Sequence, residues 1–388
     1  MQLSSTLKTK REQRGNARMD KAYKFRIYPN QAQIEQIQQT FGCCRFVFNH
    51  FLSKRIELYK SSGETLNYID CSAEMTSLKT DLEWLRIPDA TALQSTLKDL
   101  EFAYQNFFRR VKNGEKPGFP KFKSKKNRRK SYKTKRVGNN IAVLEKYVKL
   151  PKLGLVKAAI SKQVVGRILN ATVSQSFSGK YYVSVCCTGV HISPLPKSGE
   201  VVGIDLGLKD LVMTSDDITY PNQKHIKKSE KKLAKAQRRL SRKASGSANR
   251  DKARIKVAKI QEHIANARND ALHKMTTDII RKYDVIAIED LNVKGMVKNR
   301  RLSKSISDAS WGEIVRQLKY KSEWYDKQIV VVDRFFPSSQ LCGCGFKNKD
   351  VKDLSVRVWI CPECETLNDR DVNAAKNILT EGLKQLAG

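Results

Sequence analysis

The chain has 388 residues, 40% of them hydrophobic, which is enough for two or three buried cores. Its 74 Lys and Arg against 39 Asp and Glu leave a formal net charge of +35, so the surface field is strongly positive and a polyanion such as nucleic acid is the economical partner. No apolar run reaches transmembrane length and no signal-peptide core follows Met1; adjacent cysteines in apolar runs (Cys43-Cys44, Cys186-Cys187) argue against a disulfide framework. A reducing, cytoplasmic, nucleoid-associated setting without membrane contact is therefore expected.

In chain order, residues 1–18 are polar and basic and are expected to be a disordered tail, or an upstream extension if Met19 is the true start. Tyr23–Tyr28 alternates like a half-buried strand, stopped by Pro29-Asn30. Apolar residues then recur at helical spacing (Ile34, Ile37, Phe41, Cys44, Phe48, Phe51), and again at Leu93, Leu97, Leu100, Tyr104, Phe107 and Val111. These stripes predict core faces of a helical lobe, ended by Gly114 and Pro117-Gly118-Phe119-Pro120.

Residues 121–136 contain ten basic residues, no acid and two aromatics. A solvated charge run usually mixes signs, so Lys121, Lys123, Lys125, Lys126, Arg128, Arg129, Tyr132 and Lys133 are candidate nucleic-acid contacts, with the aromatics able to stack on bases. Residues 137–190 read as a small β-barrel or twisted sheet that includes Ile168–Ser176 and Lys180–Thr188 and takes in the strand near residue 25. A second basic block, 224–259, has fifteen Lys or Arg and two acids, Glu230 and Asp251; Gly246 splits it into a helical hairpin. It is read as facing nucleic acid, the alternative being a solvated helix.

Three apolar strands of the second half carry acids: Val201–Asp205, Asp284–Glu289 and Ile329–Asp333. A carboxylate on a buried strand is costly unless a cation neutralises it. Asp205, Glu289 and an acid at the start of the last helix can converge on two divalent ions, Mg²⁺ or Mn²⁺, about 4 Å apart, as phosphodiester hydrolysis requires. Asp290 should leave the opposite face of its strand, and Asp333 reads as structural. Asp369 is suited to cap the last helix, which frees Asp371 to face the metals. Between Ser338 and that helix, Cys342-Gly-Cys344 and Cys361-Pro-Glu-Cys364 form two close pairs that suggest a zinc ribbon. The first pair is one residue shorter than the usual Cys-x-x-Cys, and Glu365 stands where a glycine is usual.

The chain resembles the TnpB nucleases of bacterial insertion sequences, relatives of type V CRISPR effectors. The matching segments include Lys24–Pro29, Cys44–Leu52, Ala92–Leu100, Gly118–Lys123, Gly203-Ile-Asp-Leu-Gly207, Ile288–Leu291, Ser305–Gly312, Phe336–Cys342 and Asp369–Asn377, spread over roughly residues 19–379. The resemblance implies an α/β multidomain protein: an RNase H-like RuvC nuclease domain over 197–388 with a zinc-ribbon insertion at 338–367, a β-barrel wedge domain over 19–30 and 119–196, and a helical recognition lobe over 31–118. It implies Asp205, Glu289 and Asp371 as catalytic acids, a transposon-end noncoding RNA as guide, and double-stranded DNA cut beside a short motif by one protein with one RNA. Tyr68, Ser72 and Gln94 match motif-reading positions. The rival expectations are an RNA-guided repressor with an impaired nuclease centre and a DNA transposase.

Overall fold

The computed structural model describes residues 19–127, 130–353 and 355–387. The basic tail, Arg128 and Arg129 lie outside them. Contacts divide the chain into two compact units, with the boundary in the sequence after His191. Among the described residues no helix is long and apolar enough to cross a membrane, and all nine cysteines are free thiols.

The first unit opens with β1 (Met19–Tyr28), whose Tyr23, Phe25 and Ile27 are buried while the residues between them are exposed. Asn30 then starts α1 (Gln31–Ser62): its side chain accepts from Gln33 N–H while Gln33 returns a bond to the Asn30 N–H, a reciprocal cap. Next come α2 (Tyr68–Asp81), a 3-10 turn at Glu83–Arg86, and α3 (Ala90–Lys112). Five of the six α1 stripe residues and the first four of α3 are buried, so the stripes are core faces as expected. Ile34 and Phe107 are half-buried, and Val111, on the last turn of α3, is 51% exposed.

Six strands follow: β2 (Lys130–Lys135), β3 (Ala142–Val143), β4 (Tyr147–Leu150), β5 (Gly154–Ala159), β6 (Arg167–Gln175) and β7 (Tyr181–Val190). With β1 they form an antiparallel sheet in the order β2-β6-β7-β1-β5-β4-β3. Of the two expected forms, barrel or twisted sheet, the ladder is the second: among the described residues β2 and β3 are its two edges and do not pair with each other. The alternation of β7 is as expected, with Val183, Val185 and Cys187 buried.

The second unit holds β8 (Val201–Asp205), β9 (Asp210–Thr214), β10 (Thr219–Pro221), the helix pair α4 (His225–Ser241) and α5 (Ala248–Lys282), then β11 (Val285–Glu289). After these come α6 (Val293–Met296), α7 (Ser303–Ala309), α8 (Trp311–Tyr325), β12 (Gln328–Val332), the hairpin β13 (Val358–Ile360) with β14 (Leu367–Asp369), and α9 (Arg370–Ala387). The sheet order is β10-β9-β8-β11-β12, with β8, β11 and β12 parallel. Val202, Ile204, Ile286 and Ile288 face a core shared with α5 and α8, containing Leu272, Ile279, Ile314 and Leu318.

The other face is closed by α9, at unusually short range. A Cβ on Gly203 would stand 2.0 Å from the Ala375 carbonyl oxygen, and one on Gly382 would stand 2.6 Å from Ala287 Cβ. The glycine of Gly203-Ile-Asp is therefore a packing requirement that lets helix backbone touch strand backbone.

Candidate active site and nucleic-acid surfaces

That close seat tells which way the acids point. Gly203 and Ala287 face α9, and side chains alternate along a strand, so Asp205 and Glu289, two residues further on, face the same side. Ile204 and Ile288 are register partners, so the two acids end neighbouring parallel strands at one edge of the sheet. Asp371 lies in the first turn of α9, close enough for its charge to act on Asp205. Asp369 Oδ1 accepts from the N–H groups of Asp371 and Val372, both at 3.0 Å, and so takes the capping place expected of it.

The electrostatics match a cluster of buried acids whose desolvation and mutual repulsion outweigh the nearby Arg370 and Arg357. Burial, and then the Asp371 carboxylate, push the Asp205 pKa up to about 6. Burial and the charges of Asp205 and Asp290 push Glu289 to about 7. Carboxyls raised in this way are poised to exchange protons for a cation. Asp290 points away and pairs with Arg334, which also donates to the Asp290 carbonyl at 3.2 Å. Asp333 is exposed and accepts from Phe335 N–H at 2.8 Å, a turn contact.

Three residues without an assigned role in the sequence reading belong to this site. Arg357 Nη1 lies 3.2 and 3.3 Å from the two oxygens of Asp371. Asn373 donates to Leu341 O at 2.6 Å, and Asn377 donates to Ser338 O at 2.7 Å and Leu341 O at 2.8 Å. The asparagines latch α9 to the segment that enters the cysteine module. Their spacing of four within Asn-Ala-Ala-Lys-Asn puts both on one helix face, a signal present in the sequence. Arg357 had none, because only the β13–β14 pairing brings it opposite Arg370.

The four cysteines do assemble. All Sγ atoms of Cys342, Cys344, Cys361 and Cys364 lie within 4.8 Å of one another, with Cys342–Cys364 at 3.5 Å and Cys344–Cys361 at 3.6 Å. Four thiolates at 2.3 Å from a tetrahedral Zn²⁺ stand about 3.8 Å apart, so the donor set fits zinc despite the shortened first pair. The turns close around Gly345 (φ 99°) and Glu365 (φ 57°), the latter in a left-handed conformation that glycine would adopt more easily. Metal analysis of the purified chain should return one zinc, and Cys361→Ser should reduce it to background. Retention of zinc by that variant would place the ion elsewhere.

The other candidate contacts separate into groups. Tyr68 and Ser72 lie one turn apart on α2, and Lys98, one turn beyond Gln94 on α3, sits 5.0 Å over the Tyr68 ring. Lys121, Lys125 and Lys126 are exposed. Lys123 Nζ stacks 4.0 Å from the Phe48 ring centre, and Lys133 pairs with Asp99 at 3.2 Å. Tyr132 is a correction: it is 7% exposed and packs edge-on against Phe41 at 5.8 Å, so its ring is core and unavailable for stacking on a base. Its place on the inward phase of β2 is the reason. Neutralising Lys121, Lys125 and Lys126 should weaken nucleic-acid binding similarly for all sequences and lower the salt slope by about one per cation. Unchanged affinity and slope would reduce the run to a solubility surface.

A sheet of this order, with acids at its central strand ends and a four-thiol module tied to the covering helix, has the Cas12f1 fold. The solved Cas12f1–sgRNA–target DNA complex superposes with a TM-score of 0.56 at 14% identity, covering 93% of this chain and 98% of that one. Family profiles match in three places: "Probable transposase" over residues 184–300, "Cas12f1-like, TNB domain" over 311–378, and "Helix-turn-helix domain" over 19–64. The last span is here a strand followed by one 32-residue helix. A Streptomyces pristinaespiralis protein named "Putative RNA-guided DNA endonuclease" is 37% identical over 94% of this chain and 89% of its own length. InsQ of Escherichia coli K12, named in the same way, is 34% identical over 94% and 93%. The chain belongs to the TnpB family.

Proposed function

We propose that the chain is the RNA-guided DNA endonuclease of an insertion sequence, with a RuvC-like centre formed by Asp205, Glu289 and Asp371. The observation that carries this reading is the placing of Asp205 and Glu289 at matched ends of adjacent parallel strands, both facing the helix that bears Asp371. These three carboxylates would hold two Mg²⁺ ions. When bound, such ions supply Lewis-acid stabilisation of the charge that develops in phosphodiester hydrolysis.

The chain's own residues position and tune. Asp205 and Glu289 must be ionised to serve, and their raised pKa values predict that Mg²⁺ affinity, and with it cleavage at sub-saturating Mg²⁺, climbs with pH through the range of about 6 to 7. Arg357 holds Asp371 in place and adds positive charge beside the scissile phosphate. The cysteine module, as a zinc ribbon, fixes the entry to α9. In the first unit, the antiparallel sheet would act as the wedge and α1–α3 as the recognition lobe, with Tyr68, Ser72 and Gln94 reading the DNA motif beside the target. Guide pairing supplies sequence recognition while the protein grips backbone, which suits a charge of +35 spread over the chain.

The test combines the full chain, the RNA that copurifies with it, and a duplex bearing the matching target and its adjacent motif. Cleavage of both strands should need both RNA and Mg²⁺. RNA-dependent binding without cutting would favour a repressor, and RNA-independent processing of element ends a transposase.

A further inference from the structure

The two helices between β10 and β11, α4 and α5, form an arm. Only the second half of α5 joins the sheet core, through Leu272, Met275, Ile279 and Ile280. Its first half runs beside α4, and between them lies a groove of about 910 Å³. Ala236, Ala253 and Ile260 form part of its floor. Lys232, Lys235 and Arg239 line one wall and Lys252, Lys256 and Lys259 the other, with no carboxylate in the lining. Spacings of three and four residues keep each trio on one helix face, roughly 4.5 to 6 Å apart along the axis. Among the described residues none of these six cations is in an ion pair, whereas the acids of the same block are turned to other partners: Glu230 to Lys304 and Asp251 to Arg254.

We propose that this groove holds the sugar–phosphate backbone of a duplex stem of the guide RNA, an assignment that rests on the RNA-guided reading above. Two opposed rows of cations suit phosphates. The lining has no Phe, Tyr or Trp and a single aromatic ring, that of His263, so it offers phosphates far more partners than it offers unpaired bases, which suits a ligand whose bases are paired with each other. RNA is favoured over target DNA by the arm's self-repulsion. Fifteen cations against two acids in residues 224–259 put like charges at i,i+3 and i,i+4 along both helices, which destabilises them. A resident polyanion relieves that strain permanently. Target DNA, which arrives and leaves, does not.

The experiment uses the full chain and an in vitro transcript of the RNA recovered with it. The variant Lys232→Gln/Lys235→Gln/Lys256→Gln/Lys259→Gln should bind that transcript at least about thirtyfold more weakly at physiological salt, with the salt slope reduced by about three. The matching fourfold Lys→Arg variant should stay near wild type. In the wild-type chain, amide exchange across α4 and the first half of α5 should slow when the transcript is added, a readout that does not depend on any variant folding. Equal RNA affinity and slope in the Gln variant would overturn the groove assignment and leave the RNA-guided reading intact. So would a Gln variant whose RNA binding is unchanged but whose preloaded complex captures target DNA poorly, which would make the groove a DNA site. A wild-type chain without affinity for the transcript would overturn the reading and the groove together.

Discussion

Asp205→Ala is expected to lower target cleavage by at least about a thousandfold, some 4 kcal/mol of barrier, while leaving RNA and DNA binding within a fewfold of wild type. The asymmetry follows from position. Asp205 ends a strand that is otherwise buried and has no ion-pair partner among the described residues, so its removal breaks no structural contact of that kind. Its charge is in fact a burden on the metal-free fold. Its pKa is raised from 3.8 to about 6, so the stability it contributes is fully present below pH 3.8 and is lost as pH rises to about 6. Glu289 repeats this between 4.5 and about 7. In Mg²⁺-free buffer without chelator the protein should therefore become less stable from about pH 4 to 7, by on the order of 3 kcal/mol from Asp205 alone. Asp205→Asn should flatten that part of the profile, and Mg²⁺ should restore stability at pH 7. A stability rising with pH over this interval, or full cleavage by Asp205→Ala, would remove Asp205 from the centre.

Gly203→Ala is expected to be nearly as damaging, for a mechanical reason. The added methyl would meet backbone atoms, Ala375 O at 2.0 Å and Leu379 N at 2.7 Å, and backbone in a helix cannot rotate aside. The helix must lift from the sheet, at a cost of about 3 kcal/mol or more, and it carries Asp371 with it. Denaturant midpoint and cleavage should fall together. Gly382→Ala gives the control, because there the obstacle is the Ala287 side chain. Ala287→Gly should rescue Gly382→Ala in part and do nothing for Gly203→Ala. Normal stability and cleavage in Gly203→Ala would mean that α9 does not sit where it is described.

The local signals in the sequence were those with a fixed period. Alternation located β1 and β7 within a few residues, and helical stripes located α1 and α3. Asp205 and Glu289 stood out because an acid on an apolar strand is anomalous, and Asp369 because capping has a side-chain preference. What stayed hidden depends on contacts between distant segments. Tyr132 lies in a basic run and looked accessible, yet its strand phase turns it onto Phe41. Whether the first sheet closed could not be read from strand content, since closure depends on which edges pair. Arg357 gains its place beside Asp371 only through a three-residue ladder. The cysteines were legible as a ligand set, but the shortened pair obscured whether the thiols would meet.

Asn373 and Asn377 give that thiol module a second meaning. They donate from α9 to the carbonyls of Leu341 and Ser338, immediately before Cys342, and the same helix carries Asp371 at its first turn. One helix thus reports the state of the module on one face and presents an acid at its end. Two sulfur pairs at 3.5 and 3.6 Å are close enough to be oxidised readily whenever no metal holds them as thiolates. The centre that would cut DNA carries no cysteine, yet through this latch it inherits the oxidant sensitivity of four.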